Sequence, residues 1–324
     1  MPQLYVMHSL ARRLDALPPL RDALWDLEAA VLDRAWRAAA ARDPDAASDL
    51  GARLGRRLGP LSHKHKHVLA NLRIAFPDWL PQRVAATARE IWGSIGRTLI
   101  EYPLLERICD PAEGRVRVVD LGGLEAIRRG GRPGVFVSAH VGNWNLLPMA
   151  AVHTGIPLTV VYRRQSNPLI ERLMDRWRAS LPSTFLEVDE ATRPLLRELQ
   201  RGRSVGLVMD QRYDRGAKVP FFGVPATTTL VPARLAVRLG LPLIPAQVRR
   251  LRGARFAVLI HRPIPAPAER DDEEEEAAAL AMTAAINERF ARWITGTPEQ
   301  WLCAKRRWPR QRLRVPKRGK ISLT

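Results

Sequence analysis

From residue 115 onward the chain changes rhythm, and that change constrains its fold more than any other feature. Apolar runs at 134–139 (GVFVSA), 157–162 (PLTVVY), 204–209 (SVGLVM) and 242–248 (PLIPAQV) alternate with patterns of helical period near 143–155, 168–180, 190–201 and 228–240. Near-continuous apolar strands belong to a sheet covered on both faces, and their regular interruption by helices predicts βαβ units with parallel strands. The expectation is an α/β fold with a mixed, largely parallel sheet flanked by helices. A turn at Arg252-Gly253 joins 242–250 to a run at 255–261 and predicts one antiparallel addition.

Upstream, residues 20–107 have a helical pattern. Leu24, Leu27, Val31 and Ala35 recur at helical spacing, and Leu69, Leu72, Ile74 and Ala75 lead into a stop at Phe76-Pro77-Asp78. A third helix over 82–108 carries Val84, Ala88, Ile91, Trp92, Ile95 and Leu99, and ARDPDAASD reads as a loop between the first two. The acidic run at 271–276 predicts a helix start, since carboxylates favour the positive end of the helix dipole. The resulting division is a helical N-terminal segment (1–110), an α/β domain (111–304) and a basic flexible tail (305–324).

Charge narrows the partners. With 52 Lys+Arg against 33 Asp+Glu the net charge is +19, which attracts anionic lipid, an acidic protein or nucleic acid. The stretch KRRWPRQRLRVPKR interleaves basic residues with Trp308, but no nucleic-acid-binding module accompanies it, so no specific nucleic acid is expected. The tract His63-Lys64-His65-Lys66-His67 alternates by two, which scatters its side chains around a helix, and it reads as a solvated basic face rather than a metal site. Cys109 and Cys303 stand alone, giving neither a disulfide framework nor a zinc pattern. No stretch reaches the roughly 20 apolar residues of a spanning helix.

The segment Ser138-Ala139-His140-Val141-Gly142-Asn143-Trp144-Asn145 falls where an apolar strand hands over to a helix. In open α/β sheets ligands bind at the carboxyl ends of strands, so His140 is the candidate base, with N–H groups of the helix start as candidate oxyanion donors. HVGNWN resembles the H-x4-[DE] acyltransferase motif in the form HxGNWE used by lipid A late (lauroyl/myristoyl) acyltransferases. The similarity continues in order through Val161-Tyr162-Arg163-Arg164-Gln165-Ser166-Asn167-Pro168, Gly206-Leu207-Val208-Met209-Asp210-Gln211 and Val219-Pro220-Phe221-Phe222-Gly223-Val224-Pro225. It ends with Pro298-Glu299-Gln300-Trp301 and Arg306-Arg307-Trp308, and covers roughly residues 50–308.

The resemblance implies a glycerolipid acyltransferase-like fold and transfer of a fatty acyl group from an acyl carrier protein thioester to a hydroxyl of a lipid A precursor or related lipid. No cofactor or metal is expected. Members of the family often begin with an apolar anchoring helix, whereas this N-terminus has only short apolar runs, so the expectation is peripheral attachment to the cytoplasmic side of the inner membrane through amphipathic helices and the cationic tail. By that resemblance Arg163 contacts a phosphate or carrier-linked group. Asn143, Trp144, Lys218, Phe221, Phe222, Gly223 and Arg234 are candidates for binding lipid phosphate or the acyl chain, and Glu299, Gln300 and Trp301 read as closure of the sheet end. The family's acid falls on Asn145, which leaves three readings. Asn145 orients the ring through its amide oxygen, another carboxylate such as Asp210 does so, or the chain is a lipid-binding paralogue without catalysis.

Overall fold

The computed structural model describes residues 17–181, 183–187, 192–265 and 272–309. A seven-stranded sheet forms its centre, built from β1 (Val116–Leu121), β2 (Val135–Ser138), β3 (Leu158–Tyr162), β4 (Thr184–Glu187), β5 (Ser204–Val208), β8 (Leu243–Arg252) and β9 (Arg255–His261). The order is β1-β9-β8-β2-β5-β3-β4, and the pair β8–β9 is antiparallel as its turn predicts. The other neighbours are parallel. Strands β1 and β4 had no distinct signal: β1 mixes half-buried and exposed positions at one edge and β4 is a four-residue strand at the other. A separate hairpin, β6 (Ala217–Phe221) with β7 (Val224–Thr228), carries the candidate residues Lys218 and Phe221 and turns at Phe222 and Gly223.

Successive residues of β2 face opposite sides of the sheet. Val135 and Val137 enter one core, with Ala233 and Ala236 of a helix Val231–Leu239 and with Ile286 and Phe290 of the long helix Asp272–Gly296. Phe136 enters the other, with Leu158, Met149 and Phe256. That long helix begins beside the acidic run, as expected.

Among the described residues the N-terminal segment has four main helices, α1 (Pro18–Ala40), α2 (Pro44–Leu58), α3 (His65–Ala75) and α4 (Pro81–Glu101). Most of ARDPDAASD is helical, not loop. Asp43 caps α2, accepting from the backbone N–H groups of Asp45 and Ala46 at 2.9 and 3.2 Å, and Pro44 occupies the first turn, where its missing N–H costs nothing. The expected boundary near 110 does not separate two cores. Val68, Leu72, Val84 and Ile91 share the first core with the sheet, and Trp36 and Ile100 share the second. Nor is the 63–67 tract wholly a solvated face. His65 Nδ1 accepts from the Trp92 indole at 3.0 Å, and burial lowers the Lys64 pKa to about 8.

Residues 305–308, expected to open the flexible tail, are tied into the fold. Asn71 Nδ2 donates to the carbonyls of Cys303 and Lys305, at 2.9 and 2.7 Å, and Asn71 Oδ1 accepts from Arg307 N–H at 3.0 Å. Arg307 and Trp308 are both 1% exposed. Residues 310–324 lie outside the described part. Among the described residues no helix is long and apolar enough to cross a membrane.

Helices α2 and α4 approach so closely that only glycine fits at the crossing. A Cβ on Gly51 or Gly96 would fall inside 3.0 Å of the other residue's carbonyl oxygen, and one on Gly55 would meet the Trp92 carbonyl. The substitution Gly96→Ala must therefore separate the helices. A loss of about 1–3 kcal/mol in urea unfolding is expected, the usual range for overpacking.

Candidate active site

The geometry starts from strand register. Strands β2 and β5 are parallel neighbours with Ser138 paired to Val208, so His140 and Asp210 each stand two residues beyond a matched pair at the carboxyl edge of the sheet. The His140 N–H donates to Asp210 Oδ1 at 3.0 Å, and ring Nδ1 lies 2.5 Å from the same oxygen. Oδ2 accepts from the Trp301 indole N–H at 2.9 Å. An ionised carboxylate only accepts, so Nδ1 carries the proton and Nε2 holds the lone pair. Nε2 lies 3.2 Å from Gln211 Nε2.

Burial lowers the His140 pKa below the ordinary 6.5, with Asp210 pulling the other way. For Asp210 burial acts upward, yet the imidazole and the N–H donors outweigh it and hold the carboxyl below 3.8. Both directions describe one state, a neutral imidazole against a carboxylate.

A cavity of about 530 Å³, lined in part by His140 and Gln211, has two kinds of lining. Apolar lining includes Phe136, Leu147, Ala150, Leu158, Ala246 and Ile260. Cationic lining comes from Arg163, Arg212, Arg215, Arg234 and Lys305. Arg234 is paired with Glu276 at 2.6 Å and Arg212 with Asp214 at 2.7 Å. Lys305 is half-buried, and burial and the charge of Arg163 lower its pKa. Trp144 meets the imidazole edge-on, with ring centroids 4.7 Å apart.

Of the residues singled out in the sequence, His140, Trp144, Asn145, Arg163 and Arg234 line this cavity, and Asp210 backs the imidazole. Asn145 does not orient the ring; its Nδ2 donates to Asn143 Oδ1 at 3.0 Å. Asn143 is fully buried behind the wall and donates to Glu101 Oε2 at 2.9 Å, so it is a strut and not a substrate contact. Lys218 points outward, because alternation along β6 turns Val219 and Phe221 inward. Phe221 packs on Trp308 and Trp301, at 5.6 and 6.0 Å between ring centroids, in the core and away from the cavity. Phe222 and Gly223 form the tight hairpin turn, with φ of 52° and 72°.

Two of the expected helix-start donors are already engaged. Asn145 N–H serves Asn143 Oδ1 and Leu146 N–H serves the Asn143 carbonyl. Glu101 and Trp301 went unrecognised as parts of the site: they lie far from His140 in sequence, and nothing in their spacing reveals the contact. Gly142, with φ of 62°, brings its backbone against the Val248 carbonyl where a Cβ would collide. Its N–H donates to the Gln300 carbonyl, and Gln300 bonds both backbone groups of Arg250, which is the sheet-end closure the sequence suggested.

The model of the bacterial lipid A biosynthesis acyltransferases matches residues 31–310. The chain belongs to this family. Among curated proteins, this acyltransferase is 30% identical over 270 residues to the phosphatidylinositol mannoside acyltransferase of Mycobacterium tuberculosis, covering 81% of each chain. It is 26% identical over 196 residues to that of Mycolicibacterium smegmatis, covering 59% of this chain and 62% of the relative. Among solved structures, PlsC, the 1-acyl-sn-glycerophosphate acyltransferase of Thermotoga maritima, aligns over 72% of this chain and 97% of its own, with 15% identity and a TM-score of 0.34.

The depressed His140 pKa has a consequence for stability. On unfolding below pH 6.5 the ring takes up a proton that the folded state refuses, so stability rises with pH through that window and is lost as pH falls. Asp210 acts in the same direction at lower pH, its contribution disappearing as pH drops through its depressed pKa. The urea midpoint should fall from pH 7 to pH 5, and the fall should be smaller in His140→Ala.

Proposed function

We propose that this acyltransferase moves a fatty acyl group from a carrier thioester to a hydroxyl of an anionic phosphoglycolipid, with His140 as general base. One observation carries the reading: Nδ1 is clamped on a buried carboxylate while the imidazole lines a cavity with both apolar and cationic side chains in its wall. The acyl chain takes the apolar lining. The phosphate of the acceptor and the acidic carrier meet the arginines and Lys305.

In the reaction the acceptor hydroxyl takes the place of the Gln211 amide at Nε2 and gives up its proton there as its oxygen attacks the thioester carbonyl. The C–S bond breaks, and the imidazolium returns the proton to the departing thiolate. Asp210 holds the ring in the required tautomer and stabilises its positive charge. The carboxylate already present at Nδ1 argues against a lipid-binding paralogue that has lost its catalytic machinery.

For the acceptor, the similarity to phosphatidylinositol mannoside acyltransferases favours a phosphoinositol glycolipid over a lipid A precursor. Attachment to a membrane surface is consistent with Leu20, Leu27 and Val31, which α1 leaves exposed at near-helical spacing, and with the net charge of +19.

Purified protein incubated with acyl carrier protein thioester should acylate phosphatidylinositol mannoside in preference to a lipid A precursor, as read by product mass. The substitution His140→Ala should reduce kcat at least about 100-fold, and Asp210→Asn by on the order of 10³–10⁴. Equal rates for wild type and His140→Ala would overturn the assignment of the base. Ala246→Phe fills space along the apolar lining, so kcat/KM should shift toward shorter acyl donors.

A further inference from the structure

The residue that stands where the family motif carries its acid has a defined orientation, and the reason lies three residues deep in the protein. Glu101 is fully buried, and both of its oxygens are engaged by Arg250. Ser48 donates to Oε1 at 2.6 Å. A carboxylate paired in this way is acceptor-only, so Asn143 must present Nδ2 to Oε2, as observed at 2.9 Å. That leaves Asn143 Oδ1 as an acceptor. It takes the Asn145 backbone N–H at 3.3 Å and the Asn145 side-chain Nδ2 at 3.0 Å. The relay thus fixes which end of each amide points where. One Nδ2 hydrogen of Asn145 is used inside it, and a second hydrogen remains on a side chain that lines the cavity beside His140 and Trp144.

Several of the surrounding backbone donors are already spent. The N–H groups of His140, Val141, Gly142, Asn145 and Leu146 serve Asp210, the Ala139 carbonyl, the Gln300 carbonyl, Asn143 Oδ1 and the Asn143 carbonyl in turn. Acyl transfer generates negative charge on the thioester carbonyl oxygen at the tetrahedral stage, and a preorganised donor aimed at that oxygen lowers the barrier.

We propose that Asn145 is a catalytic hydrogen-bond donor to the thioester carbonyl oxygen, its amide locked in the donating orientation by the Glu101–Asn143 relay. The family's acidic position is thereby converted from orienting the imidazole, which Asp210 does here, to stabilising the oxyanion. The proposal rests on the acyl transfer reading. The covalent step is unchanged: the acceptor oxygen bonds the acyl carbon, the C–S bond breaks, and the hydroxyl proton reaches the thiolate through His140.

The test compares Asn145→Ala and Asn145→Asp with wild type in steady-state transfer from acyl carrier protein thioester. It also records the infrared carbonyl stretch of a 13C-labelled thioester bound to His140→Ala, with and without Asn145→Ala. Loss of a single oxyanion donor is expected to reduce kcat about 10²- to 10³-fold with little change in KM. Asn145→Asp, although it restores the family's residue type, should be as impaired, because its carboxylate faces Asn143 Oδ1, which Glu101 prevents from flipping. The bound carbonyl should absorb at lower frequency with Asn145 present than without it. Transfer that survives Asn145→Ala undiminished, or is raised by Asn145→Asp, overturns the donor role while leaving acyl transfer intact. A thioester that neither binds nor reacts with the wild type overturns both. Thermal melts within a few degrees of wild type confirm that the variants are folded.

Discussion

The site depends on the parallel pairing of β2 with β5. Because Ser138 is matched to Val208, the side chains two residues further along both strands emerge together at the same sheet edge. Side-chain direction alternates along a strand, so a slip of one residue would turn the carboxylate to the opposite face of the sheet from the imidazole. The pairing also explains how a carboxylate can be 2% exposed and still ionised. Desolvating a charge costs several kcal/mol, and Asp210 offsets that cost with three donors that the fold delivers to it: the His140 backbone, the His140 ring and the Trp301 indole.

The third donor comes from the far end of the chain. Residues 300–308 run back across the sheet edge, bridging Val141 through Trp301 and the His140 carbonyl through Leu302 N–H. Asn71 of α3 ties this segment down, and Arg307 is enclosed with it, its pKa lowered to about 10 by burial. Arg307 donates to the Thr227 carbonyl and Thr228 Oγ1 and lies over the Phe221 ring. The helical segment is therefore part of the site's support and not an appendage. Through α3 it holds the segment bearing Trp301 and Lys305; through Glu101, at the end of α4, it holds the loop that follows His140.

The alternation of apolar runs and helical patterns was enough to place five of the seven strands, because buried parallel strands announce themselves by composition. The edge strands β1 and β4 escaped, since half-exposed positions dilute that signal. His140 was legible from its position at a strand end, and Asp210 from its place at the end of the apolar run at 204–209. Register, which decides that the two meet, is not written in either segment alone. The misplacements have two causes. Phe221, Phe222 and Lys218 were read from a motif as though its residues faced one way, whereas a two-stranded hairpin sends neighbours to opposite sides and buried Phe221 in the aromatic cluster. The cationic segment at 305–308 was read from charge, which tells nothing about burial when a guanidinium finds carbonyl acceptors and an aromatic face.

An uncharged residue at 145 follows from the company it keeps. Asp210 already occupies Nδ1, so a second acid there would have no ring nitrogen to serve except the one that must accept the substrate proton. It would also bring a negative charge within two hydrogen bonds of Glu101, whose buried charge is balanced by Arg250. Neighbouring carboxylates raise one another's pKa, and the one that became protonated would enter the relay with its donor and acceptor roles altered. With the acid supplied from β5, the amide at 145 keeps the relay in a single hydrogen-bonding arrangement and leaves the imidazole with one anionic partner.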